Sequence, residues 1–159
     1  VAPRLATIAV RPGPPGRGAS AFFSSVISEP LHGRRANMPI SLDAAHWLAS
    51  PRVAVEQILH AAALDAAALG ARRALTMPGV SVTAREIIAA LRRVGGEAAL
   101  ALLTHDVDPA LDRLYRDGPA RFDVARARAL GFPADADIDA ILRAYVEDDL
   151  GQAMAPAGN

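Results

Sequence analysis

Leu5-Ala-Thr-Ile-Ala-Val10, Arg11-Pro12-Gly13-Pro14-Pro15-Gly16-Arg17-Gly18 and Ala19-Ser20-Ala21-Phe22-Phe23-Ser24-Ser25-Val26-Ile27 follow one another without interruption. The first segment is short and apolar with β-branched residues, the pattern of a strand buried on both faces in a parallel sheet. The Pro/Gly block ends it abruptly, and small residues leading into a second apolar run open a helix. Strand, loop and helix in this order predict an α/β fold. Ligands of such sheets sit beyond the carboxyl ends of the strands, so the loop from Arg11 to Gly18 is the first candidate site.

Downstream of Ile27, Glu29-Pro30-Leu31-His32-Gly33 punctuates a helix exit. Met38 to Leu42 alternates like a short strand, placed at an edge by Pro39. His46-Trp47-Leu48-Ala49 reads as a second extended piece, and Ser50-Pro51 as the capped start of a helix running to Leu64. Val55, Ile58, Leu59 and Ala62 are spaced as that helix's apolar face. A strand over Arg73–Met77 precedes Ser81-Val82-Thr83, where Thr83 and Glu86 are spaced as a capping box. Ile87, Ile88, Leu91 and Val94 form the next apolar face, closed by Gly95-Gly96, and Ala98–Leu103 fits a strand or the tail of a helix, of which the strand is preferred. Helices are expected over Asp108–Arg116, from Phe122-Asp123 to Leu130, and after Asp137. One unit is expected over residues 1–149, with a disordered tail over 150–159.

Composition narrows the function classes. A net charge of zero gives no electrostatic case for nucleic acid or an anionic membrane. The absence of cysteine removes thiolate catalysis and sulfur-rich metal sites. No apolar run reaches the roughly 20 residues of a membrane helix. His32, His60 and His105 lack carboxylates at ligand spacing, so no metal site is expected. All 17 basic residues counted as Lys or Arg are Arg, so no mechanism that needs a Lys ammonium can be completed by this chain alone.

Two constellations remain. Gly13-Pro14-Pro15-Gly16-Arg17-Gly18 has the glycines in the wrong order for a dinucleotide fingerprint, and its prolines lack the N–H groups a phosphate cradle uses. It reads instead as a strand-end loop touching another part of a ligand. His46 and Trp47, with Arg52 following, offer a ring nitrogen, an aromatic plate and a permanent cation. The plainer reading makes Trp47 a core plug, His46 a satisfied histidine and Arg52 a solvated helix residue. The acids Asp135, Asp137, Asp139 and Glu147-Asp148-Asp149 read as helix-start and surface charges.

Taken together, the order of pieces resembles the C-terminal half of the extended short-chain dehydrogenase/reductase family, the NAD-dependent epimerases and dehydratases. Arg11-Pro12-Gly13 is similar to that family's strand-end loop, and Leu31-His32-Gly33 to its small turn. His46-Trp47-Leu48-Ala49-Ser50-Pro51-Arg52 stands where its aromatic extended segment leads into a helix. Ser81-Val82-Thr83 and the run from Phe122-Asp123 to Leu130-Gly131-Phe132 match later landmarks. The combination looks most like the D-erythronate dehydrogenase branch, whose members are often labelled nucleoside-diphosphate-sugar epimerases.

The resemblance implies a Rossmann-like fold portion with few short strands and several helices, and a cytoplasmic enzyme. It implies NAD or NADP in the intact protein, with none expected bound to this chain alone. Pro12 and Gly13 would meet the nicotinamide, while Phe23, Ser24, His46, Trp47 and Arg52 would wall a sugar acid or sugar nucleotide. Arg52 or His46 would meet a carboxylate. Pro14 and Ala44-Ala45 stand where sugar-nucleotide members carry Asn and Arg, which favours a small hydroxy acid. The family's glycine-rich loop and Tyr-x-x-x-Lys pair have no counterpart here, so no catalytic residue is assigned. The chain is then the substrate-side fragment of an oxidoreductase, inactive alone; the alternative is a non-catalytic binding or structural module derived from that fold. Its first strand is expected to offer an unpaired edge, to the N-terminal half or to another copy.

Overall fold

The opening stretch divides into two short strands that pair with different partners. The computed structural model describes residues 1–13, 16 and 18–151. Strand β1 (Ala2–Arg4) runs parallel to β5 (Ala74–Thr76). Strand β2 (Thr7–Ile8) runs parallel to β4 (Ala45–Ala49), with Thr7 opposite Leu48 and Ile8 opposite Ala49. The strand expected over Leu5–Val10 is therefore shortened to β2, while β1 precedes it and pairs elsewhere. Ala9 extends the second pairing by donating its N–H to the Ala49 carbonyl at 2.9 Å. β4 also pairs antiparallel with β6 (Val80–Thr83), so the three-stranded sheet has the order β2-β4-β6 and β2 lies at its edge. A last parallel pair joins β3 (Ala36–Asn37) to β7 (Leu103–Thr104).

Helix α1 (Phe22–Leu31) packs Phe23, Val26 and Ile27 into the main core with Ala9, Val10, Leu48 and Val82. Helix α2 (Pro51–Ala63) begins on the Ser50 side chain, which accepts from the Val53 N–H. A short α3 (Ala66–Leu69) precedes β5. Helix α4 (Ala84–Leu100) opens with both bonds of the Thr83–Glu86 capping box. Helices α5 (Pro109–Arg116) and α7 (Ile138–Tyr145) are capped by Asp108 and Asp137, with the short α6 (Ala125–Ala129) between them and a π-helical turn over Val146–Leu150 closing the described chain. The fold is thus α/β, with short strands and several helices. Among the described residues no helix is long and apolar enough to cross a membrane.

Several local expectations are corrected. Met38–Leu42 is not a strand; the extended pairing lies one step earlier, at β3, and Met38 only continues it by donating its N–H to the Thr104 carbonyl. Within Ala98–Leu103 the first half is the end of α4, which continues past a break at Gly96, whose φ of 67° takes the left-handed turn that glycine tolerates, and only Leu103 is extended. The apolar face assigned to α2 points outward: Val55, Ile58 and Leu59 are 55%, 48% and 64% exposed. Its inward stripe is Val53, Ala54, Gln57 and Ala61. Gln57 turns inward because its amide donates to the Pro78 and Pro133 carbonyls, at 2.8 and 2.9 Å, which need donors where water is excluded. The tail expected to be disordered lies, beyond residue 151, outside the described residues.

Replacing Thr83 with Ala removes the acceptor for the Glu86 N–H and should lower stability by about 1 kcal/mol. Thermal denaturation of Thr83→Ala against wild type measures it, and an unchanged midpoint would mean that the cap is not formed.

Candidate functional site

β2 and β4 run parallel, so their carboxyl ends lie side by side, and the chain leaves β2 through Ala9-Val10 into the Arg11 loop. This loop is moored to α1: the Arg11 N–H donates to the Ser24 Oγ at 3.1 Å. Between loop and helix lies a cavity of about 120 Å³ walled by Arg11, Pro12, Gly13 and Gly16 on one side and Ser24, Ser25 and Ser28 on the other. Gly13 has a φ of 90° and open space where a Cβ would stand, so the loop turns there without narrowing the cavity. Beyond Pro12, Gly13 and Ser28 a groove of about 360 Å³ continues along Glu29, His32, Arg34, Tyr145 and Asp149. Its charges are largely answered from within: Arg34 donates to both Glu29 oxygens, at 2.5 and 2.9 Å, which holds the Glu29 carboxyl below its usual range. Burial and the adjacent Asp148 push the Asp149 carboxyl up.

A second cleft, about 400 Å³, opens on the other side of the loop, between Thr7, Ala19 and Ser20 and the α5 end at Leu114 and Tyr115, with His46 at its base. His46 stacks on Phe23 with ring centres 4.9 Å apart and an interplanar angle of 4°. Tyr115 meets both rings edge-on, at 5.1 and 4.9 Å. The imidazole Nε2 lies 2.7 Å from the Thr7 hydroxyl. Burial in this apolar surround lowers the His46 pKa, since a charged ring would lose its hydration.

The structure divides the residues singled out in the sequence. Pro12, Gly13 and Ser24 share one cavity, and His46 lines the other. Phe23, 1% exposed, stands behind His46 as its stacking partner. Trp47 is buried, donates its indole N–H to the Met77 carbonyl at 3.3 Å, and lines neither cavity. Arg52 lines neither as well; it is tied at the surface to Asp148, at 2.6 and 2.9 Å, and to Glu147 at 2.8 Å. Part of the Gly13–Gly18 loop (Pro14, Pro15 and Arg17) lies outside the described residues. Among the described residues no group of three or more His, Asp or Glu side chains is arranged to hold a metal ion. No pattern in the sequence marks Thr7 or Tyr115. Only the spacing of Ser24, Ser25 and Ser28, which puts three hydroxyls toward one loop, signals the cavity.

No family model matches the chain. Among curated proteins it is 44% identical over 145 residues to the D-erythronate dehydrogenase of Cupriavidus necator, covering 91% of this chain and 45% of the relative. It is 36% identical over 147 residues to the D-erythronate dehydrogenase of Haemophilus influenzae, covering 92% and 47%. The chain thus spans about half the length of the curated relatives it matches. Among solved structures, the nucleoside-diphosphate-sugar epimerase of Agrobacterium tumefaciens superposes with a TM-score of 0.90 at 43% identity, over 94% of this chain and 44% of that one. The L-threonine 3-dehydrogenase of Trypanosoma brucei shares the fold, with a TM-score of 0.77 at 16% identity over 91% of this chain and 44% of that one.

A histidine whose folded-state pKa lies below its unfolded value costs stability when protons become available. Wild-type stability should therefore fall as pH drops through the model-peptide value of 6.5, where the unfolded state takes up a proton that the buried ring resists. His46→Phe should lose that component, as measured by denaturant unfolding across pH 8 to 5, roughly the window in which histidine titrates. Identical pH profiles would show that His46 is not held neutral.

Proposed function

We propose that the chain, which matches the C-terminal part of D-erythronate dehydrogenases, is the substrate-side portion of an NAD(P)-dependent oxidoreductase of the extended short-chain dehydrogenase/reductase family, acting on a small sugar acid. The observation that carries this reading is the meeting of Pro12, Gly13 and Ser24 in one cavity at the carboxyl ends of two parallel strands. Ligands of α/β sheets bind at such ends.

The lining suits the nicotinamide end of a dinucleotide. Pro12 offers an apolar ring face, and Gly13 leaves open space where any other residue would place a side chain. NAD(P), when bound, supplies the hydride acceptor. This chain's own part is to position. The Ser24 Oγ accepts from the Arg11 N–H, which keeps the loop against α1 and leaves the hydroxyl proton for a ligand oxygen. Phe23 and His46 stiffen the wall behind it through their stack. Trp47 and Arg52 support the site from outside its lining, Trp47 by pinning the Met77 backbone and Arg52 by fastening the α2 start to the π-helical turn.

The reacting pair and the glycine-rich loop belong to the other half of the enzyme, which is the partner this chain is built to meet. The edge position of β2, whose Thr7 and Ile8 are only half-buried in this chain, supports docking of a further strand there. Alone, the chain should not turn over substrate.

The test is a chimera of the Cupriavidus necator enzyme in which this chain replaces the matching 145 residues. NAD-dependent oxidation of D-erythronate, followed by NADH absorbance, is the expected result, with no turnover by the isolated chain. A folded chimera that binds NAD yet leaves D-erythronate and related sugar acids unchanged would overturn the reading, as would turnover by the chain alone.

A further inference from the structure

The carboxylate of a hydroxy acid needs a cation with vacant donors, and the cations near the strand ends are not equivalent. Arg34 spends its fork on Glu29, and Arg52 spends its own on Asp148 and Glu147. Arg11 differs: among the described residues no carboxylate lies within ion-pair distance of its guanidinium, and no acidic side chain lines its cavity. Its Nη2 lies against Gly16, where a Cβ would sit only 3.3 Å away, so glycine at that position leaves the guanidinium room inside the cavity wall.

The opposite wall carries hydroxyls in complementary states. Ser24 and Ser28 are 7% and 8% exposed. The Ser24 Oγ accepts from the Arg11 N–H, so its own proton is available. The Ser25 hydroxyl donates to the Phe22 carbonyl and keeps only acceptor capacity. The Ser28 hydroxyl lines the cavity without a side-chain partner among the described residues; only its carbonyl is engaged, accepting from His32 Nδ1 at 2.8 Å. A cavity-facing hydroxyl with no partner among the described residues is open to a ligand oxygen or to water.

From this arrangement we infer that Arg11, with the hydroxyls of Ser24 and Ser28, forms the subsite for the carboxylate and adjacent hydroxyl of a 2-hydroxy acid. The planar guanidinium supplies parallel donors that match two carboxylate oxygens. Ser24 donates to one of those oxygens, and Ser28 either donates to or accepts from the neighbouring hydroxyl. In the adjoining groove the one arginine, Arg34, is already engaged by Glu29, so it offers no vacant fork to compete for the carboxylate. The subsite rests on the reading of the chain as the substrate side of a sugar-acid oxidoreductase, but its test is separable.

The purified chain is titrated with sodium D-erythronate and, as the uncharged control, erythritol, with binding read by NMR shifts of the Arg11 Nε–H and the Ser24 and Ser28 amides. D-erythronate should shift these signals and erythritol should not, and Arg11→Gln should weaken binding about tenfold or more, the loss of a charge-assisted bidentate contact. Arg11→Lys, which keeps the charge but not the fork, should fall between. Equal binding of acid and polyol, no binding by the wild-type chain, or an unaffected Arg11→Gln would overturn the subsite. In the chimera, Arg11→Gln should raise KM for D-erythronate by a similar factor. An active chimera with unchanged KM refutes the subsite and spares the enzymatic reading. A silent chimera, with Arg11-dependent binding intact, does the reverse.

Discussion

The parallel pairing of β2 with β4 is the constraint on which the rest depends. Its two ladder positions, Thr7 with Leu48 and Ile8 with Ala49, look slight. They nonetheless bring residues separated by some forty positions into the same layer, because the flanking Ala9, Val10, Leu48 and Ala49 are almost wholly buried. Slipping the register by one residue would turn that apolar set to the opposite face. Every feature of the candidate site follows from this pairing: the exit of the Arg11 loop at the strand ends, its mooring to Ser24, and the meeting of Thr7 with His46.

The same pairing sets a closed exit beside an open one at the carboxyl ends of the two strands. Beyond Ala49 the chain turns at once into α2 through the Ser50 cap, and the Ser50 N–H is held by Asp135 at 2.8 Å. Beyond Ile8 it has no helix to enter, and instead crosses the front of α1. The serines of α1 therefore face a loop, not a second helix, and stay within reach of a ligand. Phe22, Phe23, His46 and Tyr115 fill the space on the other side with edge and stacked contacts. A rigid aromatic block thus stands on one flank of the loop and a hydroxyl-lined cavity on the other.

What was legible in the sequence was local. Ser50-Pro51, Thr83 with Glu86, Asp108 and Asp137 mark helix starts because a cap needs only residues two or three positions away. The α/β class was legible too, from the strand, loop and helix order. The outward face of α2 was not: Val55, Ile58 and Leu59 have the spacing of a core stripe, while the inward Gln57 is explained only by the carbonyls of Pro78 and Pro133, supplied by distant chain. Arg52 looks free in the sequence for the same reason, since its carboxylates come from the far end of the chain. Arg11 stands in the sequence as a landmark of the loop, and its lack of a carboxylate partner among the described residues gains meaning only once Arg34 and Arg52 are seen to be paired. Chemistry that depends on which partners are absent is invisible to spacing.

The proposed function requires the edge of β2 to be open to a strand from a further part of the protein. Ala9 already donates inward to Ala49, so the alternation of a strand turns the Ile8 N–H toward the open edge. Hydrogen exchange at that amide, followed by NMR with and without the separately purified part of the Cupriavidus necator relative that lies outside the matching 145 residues, reads this directly. Strong slowing at Ile8 when the partner half is added is the predicted result. An exchange rate unchanged by a half shown to bind elsewhere on the chain would contradict it.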